Sequence, residues 1–145
     1  MSYKFVPFQK WHLEAIPDDE WPRLCTDTRG VTALNEAGEV QGMVVYDTWS
    51  HNSVMGHFFI LNPFILKHGF GEAACDYAFN VGGKGMVIGG TPSNNKKALK
   101  MGTHIGFKNV AVIPDGIEIG IDLIIRVMRR EDCRFIHDLD EVISQ

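Results

Sequence analysis

The segment from Leu61 to Ala73 constrains the fold more than any other part of the sequence. An apolar, aromatic run ends at Asn62-Pro63, and a loop with the pattern Gly-x-Gly follows at Gly69 and Gly71. Over 72–80, apolar residues recur at three- and four-residue spacing, which predicts a helix. A strand that enters a helix through a glycine loop brings backbone N–H groups and the positive end of the helix dipole together, which favours a bound phosphate. A plain tight turn is the alternative interpretation of the same pattern.

Strands and helices alternate along the rest of the chain. Strands are predicted, in chain order, over residues 31–34, 40–46, 54–61 and 87–90, followed by a final pair at 110–113 and 117–127. Residues 1–29 predict one or two short helices, one of which begins near Pro17. Ser93 is a candidate N-cap for the helix after the strand at 87–90. Pro114-Asp115-Gly116 predicts the turn of the last hairpin, and a short helix is expected over 135–143.

This order predicts an α/β fold with one mixed sheet, mostly antiparallel, that has a central parallel strand pair and is flanked by helices. The parallel pair consists of the strands at 54–61 and 86–90, which we expect to diverge at their C-terminal ends, with the helix at 72–80 crossing between them. At 145 residues the chain is expected to form a single domain, 1–145.

Composition narrows the classes of function. Charged residues make up 22% and apolar residues 45% of the chain, as in soluble globular proteins. The net charge of −4 argues against a nucleic-acid partner, and no apolar run approaches the roughly 18 residues of a membrane span. Cys25, Cys75 and Cys133 are odd in number and widely spaced, which predicts reduced thiols in a cytoplasmic protein. The histidine spacings predict no metal site.

Further motifs follow the glycine loop in a fixed order. Pro63 precedes Gly69 by six residues, Gly85–Pro92 forms a strand and its exit, and Asn95, Ala98 and Gly106-Phe107 come next. In this order and spacing, residues 30–130 resemble the GNAT superfamily of acyl-CoA N-acyltransferases. The resemblance implies an N-acetyltransferase that moves acetyl from acetyl-CoA, its cosubstrate, to a primary amine whose identity the sequence does not give.

The resemblance also implies where the cosubstrate binds. Backbone groups near Phe59 and Leu61 would contact the thioester carbonyl and stabilise its developing negative charge. Asn95 would lie beside the pantetheine arm. The pyrophosphate would lie on the amides of the glycine loop, at Lys67, His68, Gly69, Phe70, Gly71 and Glu72.

His57 is the candidate general base. Many relatives carry a carboxylate at the position of Met55, and His57 lies two residues further on the same face of the strand. A histidine titrates near neutrality, as a base for an amine requires. A structural histidine remains the alternative, and Asp47, His51 and Glu72 are weaker candidates.

Two residues depart from the family pattern. Leu66 replaces the usual Arg or Gln of the loop, although the adjacent Lys67 could restore the charge. Gly102 replaces the tyrosine that protonates the departing thiolate. An ordinary thiol has a pKa of about 8.5, so a CoA thiolate can leave without a dedicated acid. Gly102 itself indicates close packing or space for a ligand.

Three classes of function therefore remain. The first is the N-acetyltransferase, with a small-molecule or protein amine as acceptor and a homodimer among its candidate partners. The second is a non-catalytic GNAT-like protein that binds CoA or is structural, such as a component of a phage particle. The third is another nucleotide-binding domain, which is disfavoured because Gly69-Phe70-Gly71 lacks the third glycine of the dinucleotide fingerprint.

Overall fold

A computed structural model describes residues 2–136 of the chain. The strands are β1 (Lys4–Pro7), β2 (Arg29–Leu34), β3 (Val40–Asp47), β4 (Ser53–Ile60), β5 (Met86–Pro92), β6 (Lys108–Glu118) and β7 (Ile121–Arg129). The α-helices are α1 (Phe70–Asp76), which continues as a π-helical turn (Tyr77–Val81), and α2 (Lys96–Ile105). The 3-10 helices are Lys10–Ala15, Asp18–Glu20, Pro63–His68 and Arg130–Asp132.

The strands form one sheet in the order β1-β2-β3-β4-β5-β7-β6. Every pairing is antiparallel except that of β4 with β5, which is parallel. The parallel ladder holds three residue pairs and ends at Met55 and Ile88. Beyond that point β4 follows β3 to Ile60 while β5 follows β7 to Pro92, so the two strands diverge. The predicted mixed sheet and its central parallel pair are confirmed.

Two hydrophobic cores cover the two faces of the sheet. The larger core lies under α1 and α2 and includes Phe70, Phe79, Ile105 and Met128. The smaller core lies under the N-terminal 3-10 helices and joins Leu13, Ile16, Met43 and Val45. Residues of β3 alternate between the two cores, because successive side chains of a strand point to opposite faces. No helix in the described part of the chain is long and apolar enough to cross a membrane.

The segment after β7 packs against α1. Gly71 and Cys75, one helical turn apart, face Phe135 and Cys133 respectively. Cys75 and Cys133 are free, buried thiols that lie next to each other, whereas Cys25 is free and exposed. Of the short helix expected over 135–143, residues 137–143 lie outside the described part of the chain.

The N-terminal segment contains both elements that the sequence predicted and one that it did not. The two 3-10 helices agree with the expected short helices. The strand β1 was missed, and it pairs with β2 at the edge of the sheet. Only Val6 of this strand is even half-buried, so no alternation of apolar and polar residues announces it. Pro7 ends the strand, as is typical of edge positions.

The turn of the last hairpin was wrongly placed at residues 114–116. The structure puts the turn at Ile119-Gly120, where Gly120 has a φ of 91°. Residues 114–116 instead form an irregularity within β6, between the paired residues Ile113 and Glu118. The Asp115 carboxylate accepts from the Gly120 amide at 2.8 Å and so supports the later turn.

Two helix boundaries also differ from prediction. Helix α1 begins at Phe70 rather than at residue 72, because Gly69 has a left-handed φ of 102° and ends the preceding 3-10 helix. The N-cap of α2 is Asn95, whose side-chain oxygen accepts from the Ala98 amide at 3.1 Å. Ser93 is not the cap, because its hydroxyl accepts from the Asp122 amide at 2.9 Å.

Candidate active site

A cleft opens where β4 and β5 diverge, and its volume is about 640 Å³. One wall is residues 56–61 and the opposite wall is residues 89–92. Helix α2 contributes its inner face, and Ile16, Asp19 and Glu20 of the N-terminal segment lie at the rim. The predicted site residues that line this cleft are His57, Phe59, Leu61 and Asn95.

The backbone groups that face the cleft are not those that the sequence predicted. The Leu61 amide donates to the Gln41 carbonyl at 3.1 Å, so it is directed away from the cleft. Backbone groups alternate sides along a strand, and the β3–β4 register is continuous, so the Phe59 amide also faces β3. The amides of Phe58 and Ile60 face the cleft instead. The apolar residues predicted the strand correctly, whereas the amides implied by the family resemblance lie one residue too far along the strand.

His57 forms an ion-pair-type contact with Asp47. Its Nε2 lies 3.0 Å from Asp47 Oδ2, and the side chains are 36% and 10% exposed. The other carboxylate oxygen accepts from the Thr48 hydroxyl at 2.8 Å. Because Asp47 engages Nε2, the Nδ1 atom of a neutral His57 is left as the proton acceptor. The sequence named both residues as candidates but did not predict that they pair, since they lie on neighbouring strands.

Arg126, which sequence reasoning did not single out, forms part of the cleft wall on β7. It is only 4% exposed, and burial lowers the pKa of its guanidinium. Its Nη1 lies beside Gly102, closer than 3.0 Å to where a Cβ on that residue would be. The tyrosine that the family pattern places at position 102 would therefore require the Arg126 guanidinium to shift. Only the glycine itself signalled this contact in the sequence.

The predicted phosphate loop lies outside the lining of the cleft. Lys67, His68 and Glu72 are exposed, whereas Phe70 and Gly71 are buried. The Ala73 amide donates to the Gly69 carbonyl at 3.0 Å, so the amides of 70–72 precede the first helical bond of α1. Leu66 is 8% exposed and belongs to the core, so its side chain does not replace the family's polar residue.

The remaining candidates are placed away from the cleft. His51 is exposed, and its carbonyl accepts from Lys84 Nζ at 3.4 Å. Trp49 lies in a separate depression with Asp27 and Tyr77. Within residues 2–136, no group of three histidine, cysteine, aspartate or glutamate side chains is arranged to hold a metal ion.

His12 supports the N-terminal rim of the cleft and was also missed by sequence reasoning. It is buried, and its Nδ1 accepts from the Gln9 amide at 2.9 Å and lies 2.8 Å from the Thr32 hydroxyl. Burial lowers the pKa of this imidazole below its ordinary value. These contacts fix the 3-10 helix Lys10–Ala15 on the sheet next to the rim.

A mixed sheet with a diverging parallel pair, a glycine-initiated helix between those strands and a cleft at the divergence defines the GNAT fold, and this chain has that fold. Nourseothricin acetyltransferase has a similar structure, with 16% sequence identity, coverage of 89% of this chain and 99% of that chain, and a TM-score of 0.66. Spermidine/spermine N-acetyltransferase from Vibrio cholerae has 11% identity, coverage of 88% and 92%, and a TM-score of 0.67. No family model and no curated protein sequence matches the chain.

Proposed function

We propose that the chain is an N-acetyltransferase that moves acetyl from acetyl-CoA to a primary amine. The cleft at the divergence of β4 and β5 is the observation that carries the proposal. It holds a histidine–carboxylate pair, His57 with Asp47, beside backbone amides of β4 that are not used by the sheet. This combination supplies a base and a donor for a carbonyl oxygen in one place.

The β4 amides, His57 and Asp47 each have a role in the proposed reaction. The thioester carbonyl lies near the amides of Phe58 and Ile60, which stabilise the negative charge that develops on its oxygen. The acceptor ammonium group loses one proton to solvent before it reacts as the neutral amine. Nδ1 of His57 accepts the second proton, which the nitrogen gives up as it forms the amide, and Asp47 orients the ring and balances the imidazolium charge. The amine nitrogen then bonds to the carbonyl carbon, and the carbon–sulfur bond breaks with its electron pair on sulfur.

The cosubstrate extends from the cleft to the glycine loop. Asn95 lies beside the pantetheine arm, and the pyrophosphate lies on the amides of residues 67–72. The exposed cation Lys67, the left-handed Gly69 and the start of α1 support this placement. The burial of Gly71 under Phe135 restricts the phosphate to the exposed side of the loop.

Two acidic residues at the rim support a cationic small molecule as the acceptor. Asp19 and Glu20 line the same cleft as His57. An amine carrying a second positive charge would be attracted there, and spermidine belongs to that class. A protein amine is the other acceptor class. The free thiols support a reducing compartment such as the cytoplasm.

A non-catalytic CoA-binding protein is the second candidate. Gly102 favours it, because the helix carries no tyrosine acid there. A structural protein, such as a phage-particle component, belongs to the same class of non-enzymatic function.

We also propose a homodimer that forms along β6. This strand is at the sheet edge and is exposed throughout, with apolar side chains at Val110, Val112 and Ile113. A strand edge that no strand among residues 2–136 pairs with is a template for a second copy of the chain. Val112→Lys should convert a dimer to a monomer in light scattering, whereas a monomeric wild-type protein would contradict the proposal.

The central experiment measures acetyl-CoA binding and turnover separately. Acetyl-CoA should raise the melting temperature of the protein, because it binds only the folded state. Release of free CoA should then be measured with diamines, polyamines and peptides with free N-termini. Binding without CoA release on any of these acceptors would favour the non-catalytic CoA-binding protein. Absence of binding would contradict both CoA-dependent candidates and favour the structural protein.

A further inference from the structure

We propose that Arg126 receives the CoA thiolate as it leaves and stabilises it by charge, in place of a proton-donating side chain. This inference rests on the proposed acetyl transfer and identifies a further catalytic residue for it. The side chain of Arg126 is almost fully buried, at 4% exposure, and forms part of the cleft wall.

The charge of Arg126 has no carboxylate partner among the described residues. All of its hydrogen-bond acceptors are neutral: Asn109 Oδ1 at 2.8 Å, the Leu99 carbonyl at 2.9 Å, the Thr103 hydroxyl and the Phe107 carbonyl at 3.5 Å. A buried cation is usually paired with an anion, because its loss of hydration is otherwise uncompensated. The protein therefore maintains an unbalanced positive charge at the cleft wall, which an anionic ligand would neutralise.

The guanidinium also retains donor capacity. It has five N–H groups, and the four hydrogen bonds within the described part of the chain leave one of the two N–H groups of Nη1 without an acceptor. Nη1 is the atom that lies beside Gly102. A side chain on residue 102 would fill this space, so glycine keeps Nη1 accessible from the cleft.

Arg126 and the proposed base, His57, lie on opposite faces of the sheet. Its cross-strand partner is Gly89, the first residue of β5 beyond the parallel ladder. Its hydrogen bonds to α2 place it on the face of the sheet that α1 and α2 cover. His57 pairs with Val45, whose side chain belongs to the core on the other face. An acyl group held between the strands can thus be attacked from the His57 face while sulfur departs toward Arg126.

The acetyl transfer is balanced in atoms and charge without an acid supplied by the protein. The nitrogen–carbon bond forms as the carbon–sulfur bond breaks, sulfur keeps the electron pair, and His57 holds the proton lost by the amine. Arginine cannot release a proton at accessible pH, so CoA leaves as a thiolate and is protonated later by solvent. The Arg126 charge lowers the energy of that thiolate.

Other charged or titratable groups also line the cleft, and the test must separate their effect on the thiolate from that of Arg126. Asp19 and Glu20 lie at the rim, Lys97 is on α2, and His57 is on β4. Within residues 2–136, the groups that hydrogen-bond to the guanidinium, from α2, β6 and the residues that join them, are all uncharged. Arg126 is therefore the buried cation of the wall, whereas Lys97 is exposed, and the effect of Arg126 on sulfur can be isolated by substitution.

The test measures the acidity of the CoA thiol in the bound complex, by the ultraviolet absorbance of the thiolate. CoA bound to the wild-type protein should show an acid dissociation constant about tenfold or more above that of free CoA, because a nearby cation favours the anion. This measurement needs no variant and no turnover. CoA that binds with unchanged thiol acidity would overturn the role of Arg126 alone. Failure to bind CoA would overturn the proposed function as well.

Two variants separate charge from structure. Arg126→Lys keeps the charge but loses the hydrogen-bonded fork, whereas Arg126→Gln removes the charge and keeps a donor. We expect Arg126→Lys to retain the enhanced thiol acidity and Arg126→Gln to lose it, with a parallel fall in kcat of about tenfold or more. Equal loss of thiol acidity in both variants, with CoA still bound, would mean that Arg126 only holds α2 on the sheet.

Discussion

The ring of Phe135 occupies the space in which a side chain on residue 71 would begin. A Cβ on Gly71 would lie 2.6 to 2.7 Å from three carbons of that ring. The second glycine of the Gly-x-Gly motif is therefore required for close packing between α1 and the segment after β7. A glycine motif that indicates phosphate binding in the sequence thus has a packing role at one of its two positions.

Gly71→Ala should lower the free energy of unfolding by about 1 to 3 kcal/mol, the usual effect of overpacking a buried site. Urea denaturation measures this, and Gly71→Ala combined with Phe135→Leu should recover part of the loss. Gly89→Ala is the matched control, because a Cβ there meets its neighbours at 3.6 Å. An unchanged urea midpoint for Gly71→Ala would contradict the packing role.

Lys67→Glu tests the phosphate loop without disturbing the core, since Lys67 is exposed. Reversal of its charge should weaken acetyl-CoA binding by about tenfold, which corresponds to about 1.4 kcal/mol. Calorimetry should show that the difference shrinks as salt is added, because exposed charges are screened. Lys10→Glu, an exposed lysine on the first 3-10 helix, should bind acetyl-CoA as the wild type does. Equal affinities of Lys67→Glu and Lys10→Glu would place the pyrophosphate elsewhere.

His57→Ala should lower kcat by about 100-fold or more, the usual scale for loss of a general base. The affinity for acetyl-CoA should remain nearly intact, because the ring faces the acceptor side of the sheet. Asp47→Asn should cause a smaller loss of kcat, since Asp47 orients the ring from 3.0 Å rather than accepting the substrate proton. A variant at His57 that turns over at the wild-type rate would remove it from the mechanism.

Gly102→Tyr restores the residue of the family pattern but directs its side chain into Arg126. We expect the single variant to lose both stability and activity, measured by thermal unfolding and by the rate of CoA release. Combining it with Arg126→Ala opens the space, and the double variant should fold and turn over better than Gly102→Tyr alone. A rise in activity for the single variant would show that the Arg126 guanidinium moves aside at little energetic cost.

Stability should fall in mild acid because of His12. Burial lowers the pKa of His12 below the ordinary 6.5, so as the pH falls through 6.5 the unfolded chain binds a proton that the folded chain does not. The free energy of unfolding then decreases by up to about 1.4 kcal/mol per pH unit for this group, until the folded-state pKa is reached. In His12→Gln this contribution should be absent. Urea titrations of both proteins at several pH values measure the difference, and identical pH dependences would contradict it.

The sequence predicted the central architecture because its signals there are local. The largely apolar runs of β3, β4 and β5 and the glycine that precedes α1 appear in short windows of sequence. Strand β1 was missed because an exposed edge strand needs no apolar alternation. The last turn was misplaced because Pro114-Asp115-Gly116 and Gly120 are both acceptable turn residues, and the Asp115 carboxylate decides between them by accepting from the Gly120 amide.

The candidate site was predicted less completely, because its contacts join residues far apart in the chain. His57 was found from its position on a strand, but its pairing with Asp47 depends on the register of β3 against β4. Arg126 could not be predicted as a partner of Gly102, since 24 positions and a strand crossing separate them. To know which β4 amides are free, one must know which residues of β4 donate to β3. The sequence pattern does not contain that information.

The short parallel ladder has a mechanical consequence. Three residue pairs, Ser53–Met55 with Met86–Ile88, join a four-stranded half of the sheet to a three-stranded half. Because so few residue pairs join the two halves, we expect them to move relative to each other more easily here than elsewhere in the sheet. A ligand that hydrogen-bonds to β4 and to β5 across the cleft would add inter-strand links that the short ladder lacks. The two halves of the sheet should therefore be held most rigidly when a ligand is bound and should separate most easily when the cleft is empty.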